Sequence, residues 1–365
     1  MTMESKRLLS IDALRGFDMF FIMGFASLVV AVCALFPGGA DGWLARQMSH
    51  PDWNGLSHHD TIFPLFLFIS GMTFPFSLAN SREKGMSEKQ IFRKVLVRGL
   101  ILIGLGFVYN YIFQLKLSTF RFYSVLGRIG LAWMLAAWLY MCCGQKARAI
   151  IAAAILVGYN LLLLIPAPDF QGASSLSMEG NIVGYIDRLL LPNHLLYSVG
   201  FDPEGLLSTL PAVVTAMLGQ FTGEFVKDSP AEKKTLRMLV AAAVLLVIGL
   251  VWSLWFPINK KLWTSSFVLV VGAYSLALFA VFYWLIDVKG WKKWAFFFQV
   301  IGLNSITIYL LQRIVPFGQV NRFFLGGLAD LCPEPLGKVL LALGYLALSW
   351  LLLLFLYRKK VFLKV

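Results

Sequence analysis

Residues 238–256 read MLVAAAVLLVIGLVWSLWF, nineteen consecutive positions without a charged side chain. A hydrocarbon core about 30 Å thick needs roughly 20 apolar residues in a helix that rises 1.5 Å per residue. This stretch is therefore predicted to cross a membrane as a helix. Water-soluble cores do not produce apolar blocks of this length.

Similar blocks recur along the 365-residue chain, which is 59% hydrophobic and 14% charged. A soluble domain typically carries about 25% charged residues. Ten spans are predicted, at 11–36, 60–80, 95–115, 123–143, 149–166, 206–226, 238–256, 265–287, 295–314 and 337–357. The expected fold class is an all-α polytopic membrane protein with about ten transmembrane helices, forming a single domain over residues 1–365.

The placement of basic residues predicts the orientation of these spans. Of the 32 Lys and Arg residues, 21 fall on one side of a ten-span arrangement, and the Lys- and Arg-rich side of a membrane protein faces the cytoplasm. These 21 lie at both termini and in segments 81–98, 144–148, 227–237 and 289–293. Both termini are therefore predicted to be cytoplasmic, and the long segments 37–59 and 167–205 are predicted to lie on the other side.

Charge and cysteine content exclude several classes of protein. The net charge of +13 does not indicate a nucleic-acid partner, because the basic residues form short clusters between apolar blocks. Four cysteines in a chain of this length do not form a disulfide framework. No metal site is predicted, since no two histidines have the helical His-x3-His spacing.

All four histidines fall on the predicted non-cytoplasmic side, in loops or at helix mouths. They are His50, His58, His59 and His194. Histidine titrates near neutral pH, which makes these side chains candidates for proton transfer. The alternative is that they are ordinary polar loop residues, and the pattern alone leaves both interpretations open.

Ionisable side chains inside the predicted spans are a second signal, because such groups usually pair or face an internal cavity. Asp12 and Arg15, in the first span, are close enough to pair on one helix face, so a structural ion pair is the alternative to a functional role. Arg128 lies deeper, in the fourth span. Its guanidinium suits a phosphate or a carboxylate.

Two further features predict local structure. Asn304 and Ser305 interrupt an apolar span, and buried amides need partners, so they mark a helix–helix contact or a cavity wall. Asp202 and Pro203 have the residue types of an N-cap and a first helical position, which predicts that a helix begins there.

Six groups of short motifs occur in a fixed order. They are SIDALRG at 10–16, HPDWNGL at 50–56 with DTIFP at 60–64, GYIDRLLL at 184–191, DPEG at 202–205, PINKKLW at 257–263 and GLNSI at 302–306. Together they resemble the heparan-α-glucosaminide N-acetyltransferase family over residues 10–306. One departure is that lysosomal members carry an asparagine late in the helix before the histidine motif, where this chain reads GFAS at 24–27.

The resemblance implies a membrane-bound enzyme that moves acetyl from cytoplasmic acetyl-CoA to the amine of a terminal glucosamine on the other side. It implies that His50 is the active-site histidine, acting as base or acetyl carrier, with Asp60 a candidate to hold its ring. Candidates for the acceptor are Trp53, Asn54, Asp187 and Asn304, and candidates for the donor are Arg15, Arg98, Arg128 and Lys260.

The expected co-substrate is acetyl-CoA, with no metal. The expected partners are an amino-sugar or glycan acceptor, the lipid bilayer and a second copy of the chain in a homodimer. The expected location is the cell inner membrane, as a multi-pass protein.

Two alternatives stay open. One is an acyltransferase that keeps the fold and donor but modifies a hydroxyl of an envelope polysaccharide or glycolipid. The other is a transporter, a class that often shows internal repeats, although no repeat is evident between the two halves of this chain.

Overall fold

The computed structural model describes residues 8–111, 120–170, 172–197, 200–228 and 234–363. Within these ranges the regular secondary structure is helical, apart from one isolated antiparallel β-bridge between Pro166 and Asn181. The predicted all-α fold class is confirmed. Four of the basic residues used for the orientation, Lys6, Arg7, Lys233 and Lys364, lie outside the described residues.

The helices are numbered here in chain order. They are α1 Leu9–Cys33, α2 Trp43–Arg46, α3 His58–Glu83, α4 Glu88–Tyr111, α5 Val125–Cys142, α6 Gln145–Leu163, α7 Ile182–Leu190, α8 Thr209–Asp228, α9 Lys234–Ser253, α10 Ser265–Val288, α11 Ala295–Gly302, α12 Ser305–Ile314, α13 Phe317–Asp330 and α14 Glu334–Arg358.

Seven of the described helices are long and apolar enough to cross a membrane: α1, α3, α5, α6, α9, α10 and α14. The pair α11 and α12 is an eighth candidate, bent by 65°. Helices α4 and α8 occupy two more of the predicted span positions but are not among the candidates. Helix α4 carries four basic residues in its first half, and α8 places buried polar residues such as Thr215 and Gln220 against other helices rather than lipid.

The chain divides into two compact units, and each is described by itself. The first comprises residues 1–51, 56–62 and 278–364. At its centre α1 crosses α11, where Gly16 faces the backbone carbonyl of Phe298 and Gly302 faces that of Asp12. Glycine at both positions lets the two backbones touch, since a side chain there would separate them.

A π-helical turn at Phe21–Phe25 interrupts α1, and its Gly24 adopts φ 133°. This left-handed region is readily accessible only to glycine. The side-chain amide of Gln312 on α12 donates to the backbone carbonyl of Met23 at 3.1 Å and lies 3.0 Å from the hydroxyl of Tyr345 on α14. The interrupted turn is therefore held by side chains from two other helices.

The second unit comprises the described residues within 52–55 and 63–277. Helix α8 packs against α3 through glycines, with Gly219 facing the carbonyl of Phe68 and Gly223 that of Met72. The helix start predicted at Asp202 is wrong, because α8 begins at Thr209. Asp202 instead closes a turn, and its carboxylate accepts hydrogen bonds from the backbone N–H groups of Tyr197 and Glu204.

Candidate functional site

In the first unit, His50 and Asp60 form a hydrogen-bonded pair. Nδ1 of His50 lies 2.6 Å from Oδ1 of Asp60, and the Asp60 side chain is 2% exposed whereas that of His50 is 47% exposed. A carboxylate can only accept, so Nδ1 carries the shared proton and Nε2 keeps its lone pair. The pair therefore holds a half-exposed imidazole whose Nδ1 faces a buried carboxylate.

The start of α3 holds Asp60 in place. Ser57 donates to Oδ2 of Asp60 from both its backbone N–H and its hydroxyl, each at 3.2 Å, and the first of these bonds is one half of a capping box. Gln47 accepts from the next two N–H groups: its side-chain oxygen from that of His58 and its backbone carbonyl from that of His59, each at 3.0 Å. Asp60 therefore has both oxygens engaged at a rigid helix start.

The other two histidines near this helix start pack against aromatic rings. The His59 ring lies 4.6 Å from that of His50, and the His58 ring lies 4.3 Å from that of Phe21, centroid to centroid. No group of three or more His, Cys, Asp or Glu suited to hold a metal ion occurs in the part of the chain that the structure describes.

In the second unit, Trp53 and Asn54 are fixed by distant segments. The indole N–H of Trp53 donates to the carbonyl of Leu176 at 2.8 Å, and the side-chain amide of Asn259 donates to that of Asn54 at 3.0 Å. The N–H of Gly55 also donates to the carbonyl of Ile258 at 2.9 Å. The WNG motif is therefore held against the PINKKLW motif.

A charged cluster surrounds the DPEG motif in the same unit. Arg121 binds Asp202 through two hydrogen bonds of 2.9 and 2.6 Å and also pairs with Glu204. Burial by itself would raise the pKa of Glu204, but the charges of Arg121 and Arg128 hold that pKa below its ordinary value. Glu204 is thus a carboxylate kept ionised beside two arginines.

Arg128 and Asp187 both contact Gly205. Arg128 is 3% exposed, and its Nη2 donates to the carbonyl of Gly205 at 3.2 Å and to the hydroxyl of Ser208. The carboxylate of Asp187 packs against Gly205 itself. Burial, followed by the charge of Asp202, raises the pKa of Asp187 to about 7.

The remaining predicted residues have contacts of their own. Arg15 pairs with Asp12 at 3.7 Å, as the spacing predicted. The guanidinium of Arg98 stacks on Trp133, 4.4 Å from the ring centre. Lys260 contributes its charge to the surroundings of Glu204. Asn304, 1% exposed, lies between α11 and α12 where the pair bends.

Sequence reasoning missed three residues that shape these sites. Ser57 was recognisable, because Ser57 and Asp60 have the S-x-x-D spacing of a capping box. Gln47 and Arg121 had no such signal, since Gln47 bonds His58 eleven positions away and Arg121 bonds Asp202 eighty-one positions away.

Two curated proteins are similar to this chain across almost all of its length. The human heparan-alpha-glucosaminide N-acetyltransferase is 27% identical to it over 98% of the chain, and the mouse protein of the same name is 27% identical over 99%. The chain is a distant relative of the heparan-alpha-glucosaminide N-acetyltransferases. It spans 60% of the human protein's length and 61% of the mouse protein's. No family model matches it.

The similarity to the heparan-alpha-glucosaminide N-acetyltransferases covers every motif quoted above, and the fold brings several of these motifs together. The histidine motif meets Asp60 at the start of α3. In the second unit, the WNG motif meets PINKKLW, and the GYIDRLLL motif meets DPEG through Asp187 and Gly205. The departing stretch at 24–27 coincides with the π-helical turn of α1.

Proposed function

We propose that the chain is a membrane-bound acetyltransferase that moves acetyl from cytoplasmic acetyl-CoA to the amine of a terminal glucosamine on the non-cytoplasmic side. The observation that carries the proposal is the hydrogen-bonded His50–Asp60 pair, in the motif through which the chain resembles its N-acetyltransferase relatives. An exposed imidazole with one basic nitrogen is what acyl transfer to an amine requires, because the amine must lose a proton as it attacks.

His50 has two possible roles in this reaction. As a base, Nε2 accepts the proton of the amine while the new C–N bond forms and the thioester C–S bond breaks, and it then returns that proton to the leaving thiolate, so that CoA is released as the thiol. As an acetyl carrier, Nε2 attacks the thioester first and passes the acetyl group to the amine in a second step. Asp60 orients the ring in both routes and stabilises the positive charge that develops on it.

The other residues have proposed roles in binding. Trp53, Asn54, Asp187 and Asn304 are proposed to contact the acceptor. Arg15, Arg98 and Lys260 are proposed to bind the phosphates or the pantetheine arm of the donor, since cationic side chains suit phosphate. Arg128 was expected in the same donor-binding group.

The proposed setting is the cell inner membrane, crossed by ten helices with both termini in the cytoplasm. This topology includes α4, α8 and the bent pair α11–α12 as spans. It puts the His50 motif on the non-cytoplasmic side and leaves the donor to enter from the cytoplasm. A homodimer is the proposed assembly.

An O-acyltransferase is the second candidate, with the same donor and a hydroxyl acceptor on an envelope polysaccharide or glycolipid. The stretch GFAS at 24–27, which overlaps the π-helical turn at Phe21–Phe25, supports this second candidate. There the chain departs from the asparagine of the lysosomal family pattern.

Purified protein incubated with acetyl-CoA and a panel of amino sugars and alcohols tests the function. We expect release of CoA thiol and N-acetylation of glucosamine. His50→Ala should lower turnover by roughly 100- to 10,000-fold, whereas His194→Ala, in an exposed loop, should not change it. Unchanged turnover in His50→Ala would move the chemistry to His58, His59 or Asp60. Acetylation of alcohols alone would favour the second candidate, and no consumption of acetyl-CoA would exclude both.

A further inference from the structure

A pocket of about 190 Å³ lies beside the charged cluster of the second unit, where α5 begins. Its walls include Phe107 from α4, Phe122 and Tyr123 before α5, Arg128 on α5, and Glu204 and Thr209 from the DPEG segment and α8. Aromatic rings therefore form one part of the lining, and an arginine and a carboxylate form another. We call this space the Arg128 pocket.

Arg128 has hydrogen-bonding capacity that the described residues do not use. Nη2 is occupied by Gly205 and Ser208, while Nε and Nη1 are buried and have no hydrogen-bond partner among the described residues. The guanidinium also lies over the Trp263 ring, 5.0 Å from its centre. Burying charged N–H groups without partners is costly, so a ligand with acceptor oxygens is expected at the pocket.

The acids near Arg128 restrict the charge of that ligand. Glu204 lines the same pocket and is held ionised by Arg121. Asp187 contacts Gly205, and its carboxylate oxygens are buried without hydrogen bonds of normal geometry to described residues. The ionised carboxylate of Glu204 would repel a phosphate of CoA in this pocket, which argues against a donor role for Arg128.

A hydroxyl group meets these requirements because it both accepts and donates hydrogen bonds. It can accept from Nε or Nη1 of Arg128 and donate to Glu204. The aromatic walls at Phe107, Phe122 and Tyr123 offer apolar faces for the C–H groups of a ring, in the usual combination of apolar lining with a few placed polar groups.

The geometry points to a sugar ring in the Arg128 pocket, and we infer that it is a ring of the glycan acceptor, bound through its hydroxyls. This inference rests on the proposed function only in naming the sugar as the acceptor. The volume fits a single ring rather than an extended polysaccharide. Arg128 and Glu204 are then acceptor-binding residues, and Arg121 positions Glu204.

Binding of sugar to the purified protein, without acetyl-CoA, tests the inference by saturation-transfer NMR or calorimetry. The probes are glucosamine, glucose and CoA. Ile103→Trp fills the pocket without changing a charged group, because Ile103 lies in its wall. Val108→Trp is the matched control, since it adds the same bulk to an exposed position of the same helix. Arg128→Lys keeps the charge but removes the fork of donors.

We expect both sugars to bind the wild-type protein saturably and to bind Ile103→Trp and Arg128→Lys at least about tenfold more weakly, a loss of roughly 1.4 kcal/mol. Val108→Trp should bind as the wild type does, and CoA binding should be equal in all four proteins. Saturable sugar binding that Ile103→Trp leaves unchanged would overturn the inference. So would the absence of saturable sugar binding, in which case the pocket holds only water, or a selective loss of CoA binding in Ile103→Trp.

Acetyl-transfer assays on the same variants separate this inference from the proposed function. If sugar binds in the pocket but no acetyl is transferred, the proposed function fails and the pocket assignment stands. If acetyl transfer proceeds with an unchanged KM for the acceptor in Ile103→Trp, the function stands and the pocket assignment fails.

Discussion

The ring of His50 can accept a proton at Nε2 only in the tautomer that carries its proton on Nδ1. Asp60 selects that tautomer by accepting from Nδ1 at 2.6 Å. Asp60→Asn replaces one acceptor by an amide that can also donate, so the preference is lost. We expect kcat for acetyl transfer to fall roughly 100- to 10,000-fold, with little change in CoA binding.

The matched control for this change is Asp330→Asn, which alters an exposed carboxylate on α13 and should leave kcat unchanged. Steady-state kinetics on both variants, with the melting temperature measured in parallel, make the comparison. A wild-type kcat in Asp60→Asn would remove Asp60 from the proposed mechanism.

Asp187 makes the stability of the fold depend on pH. Its pKa is raised from 3.8 to about 7 by burial and by Asp202, so between those pH values the folded chain binds a proton that the unfolded chain has lost. The contribution of Asp187 to the free energy of unfolding is largest below about pH 4 and declines as the pH rises to 7. Three pKa units correspond to roughly 4 kcal/mol at most.

Asp187→Asn removes this titration, since asparagine stays neutral. The melting temperature of the variant relative to that of the wild type should be higher at pH 8 than at pH 5, because the wild type loses stability over that range. Thermal unfolding at the two pH values measures the difference. If the difference in melting temperature between the wild type and Asp187→Asn is the same at pH 5 and pH 8, the carboxyl is ionised in the fold throughout that range.

Among the helices, the crossing of α1 and α11 depends on two glycines. A methyl group at Gly302 would meet the carbonyl of Asp12 and the backbone nitrogen of Gly16, neither of which can move as a side chain can. We therefore expect Gly302→Ala to lower stability by about 1–3 kcal/mol, the usual cost of overpacking.

Gly158→Ala on α6 provides the control, because a methyl group there meets nothing within 4 Å. Replacing a helical glycine by alanine at an open site gains about 0.5–1 kcal/mol. The two variants should thus shift the melting temperature in opposite directions. A stabilised Gly302→Ala would mean that the two helices separate more readily than the described crossing allows.

For the whole molecule, the proposed topology makes opposite predictions for two exposed connections. In a background without the four native cysteines, Lys84→Cys should resist an impermeant thiol reagent in intact cells because it lies in the basic segment assigned to the cytoplasm. Ala40→Cys, in the segment between α1 and α3, should be labelled. After lysis both should react. Labelling at position 84 from outside would overturn the orientation.

The sequence by itself determined where the helices lie. Helices lie at all ten predicted sites, and at eight of them a helix or the bent pair α11–α12 is apolar enough to cross a membrane, because a run of about 20 apolar residues is stable across a membrane only as a helix. The spacing of the sequence also indicates the Asp12–Arg15 pair and the hydrogen bond between Ser57 and Asp60, since each joins residues three apart on one chain segment. Interactions within one helical turn follow from local spacing.

Only the tertiary structure decided which distant residues meet. His50 and Asp60 are ten positions apart, Arg128 and Gly205 seventy-seven, and Asn259 and Asn54 two hundred and five. The turn formed by DPEG, predicted as a helix start, likewise depends on Arg121 from another segment. Residue types and local spacing carry no information about such pairs, because each forms only after helices pack and bring their ends together.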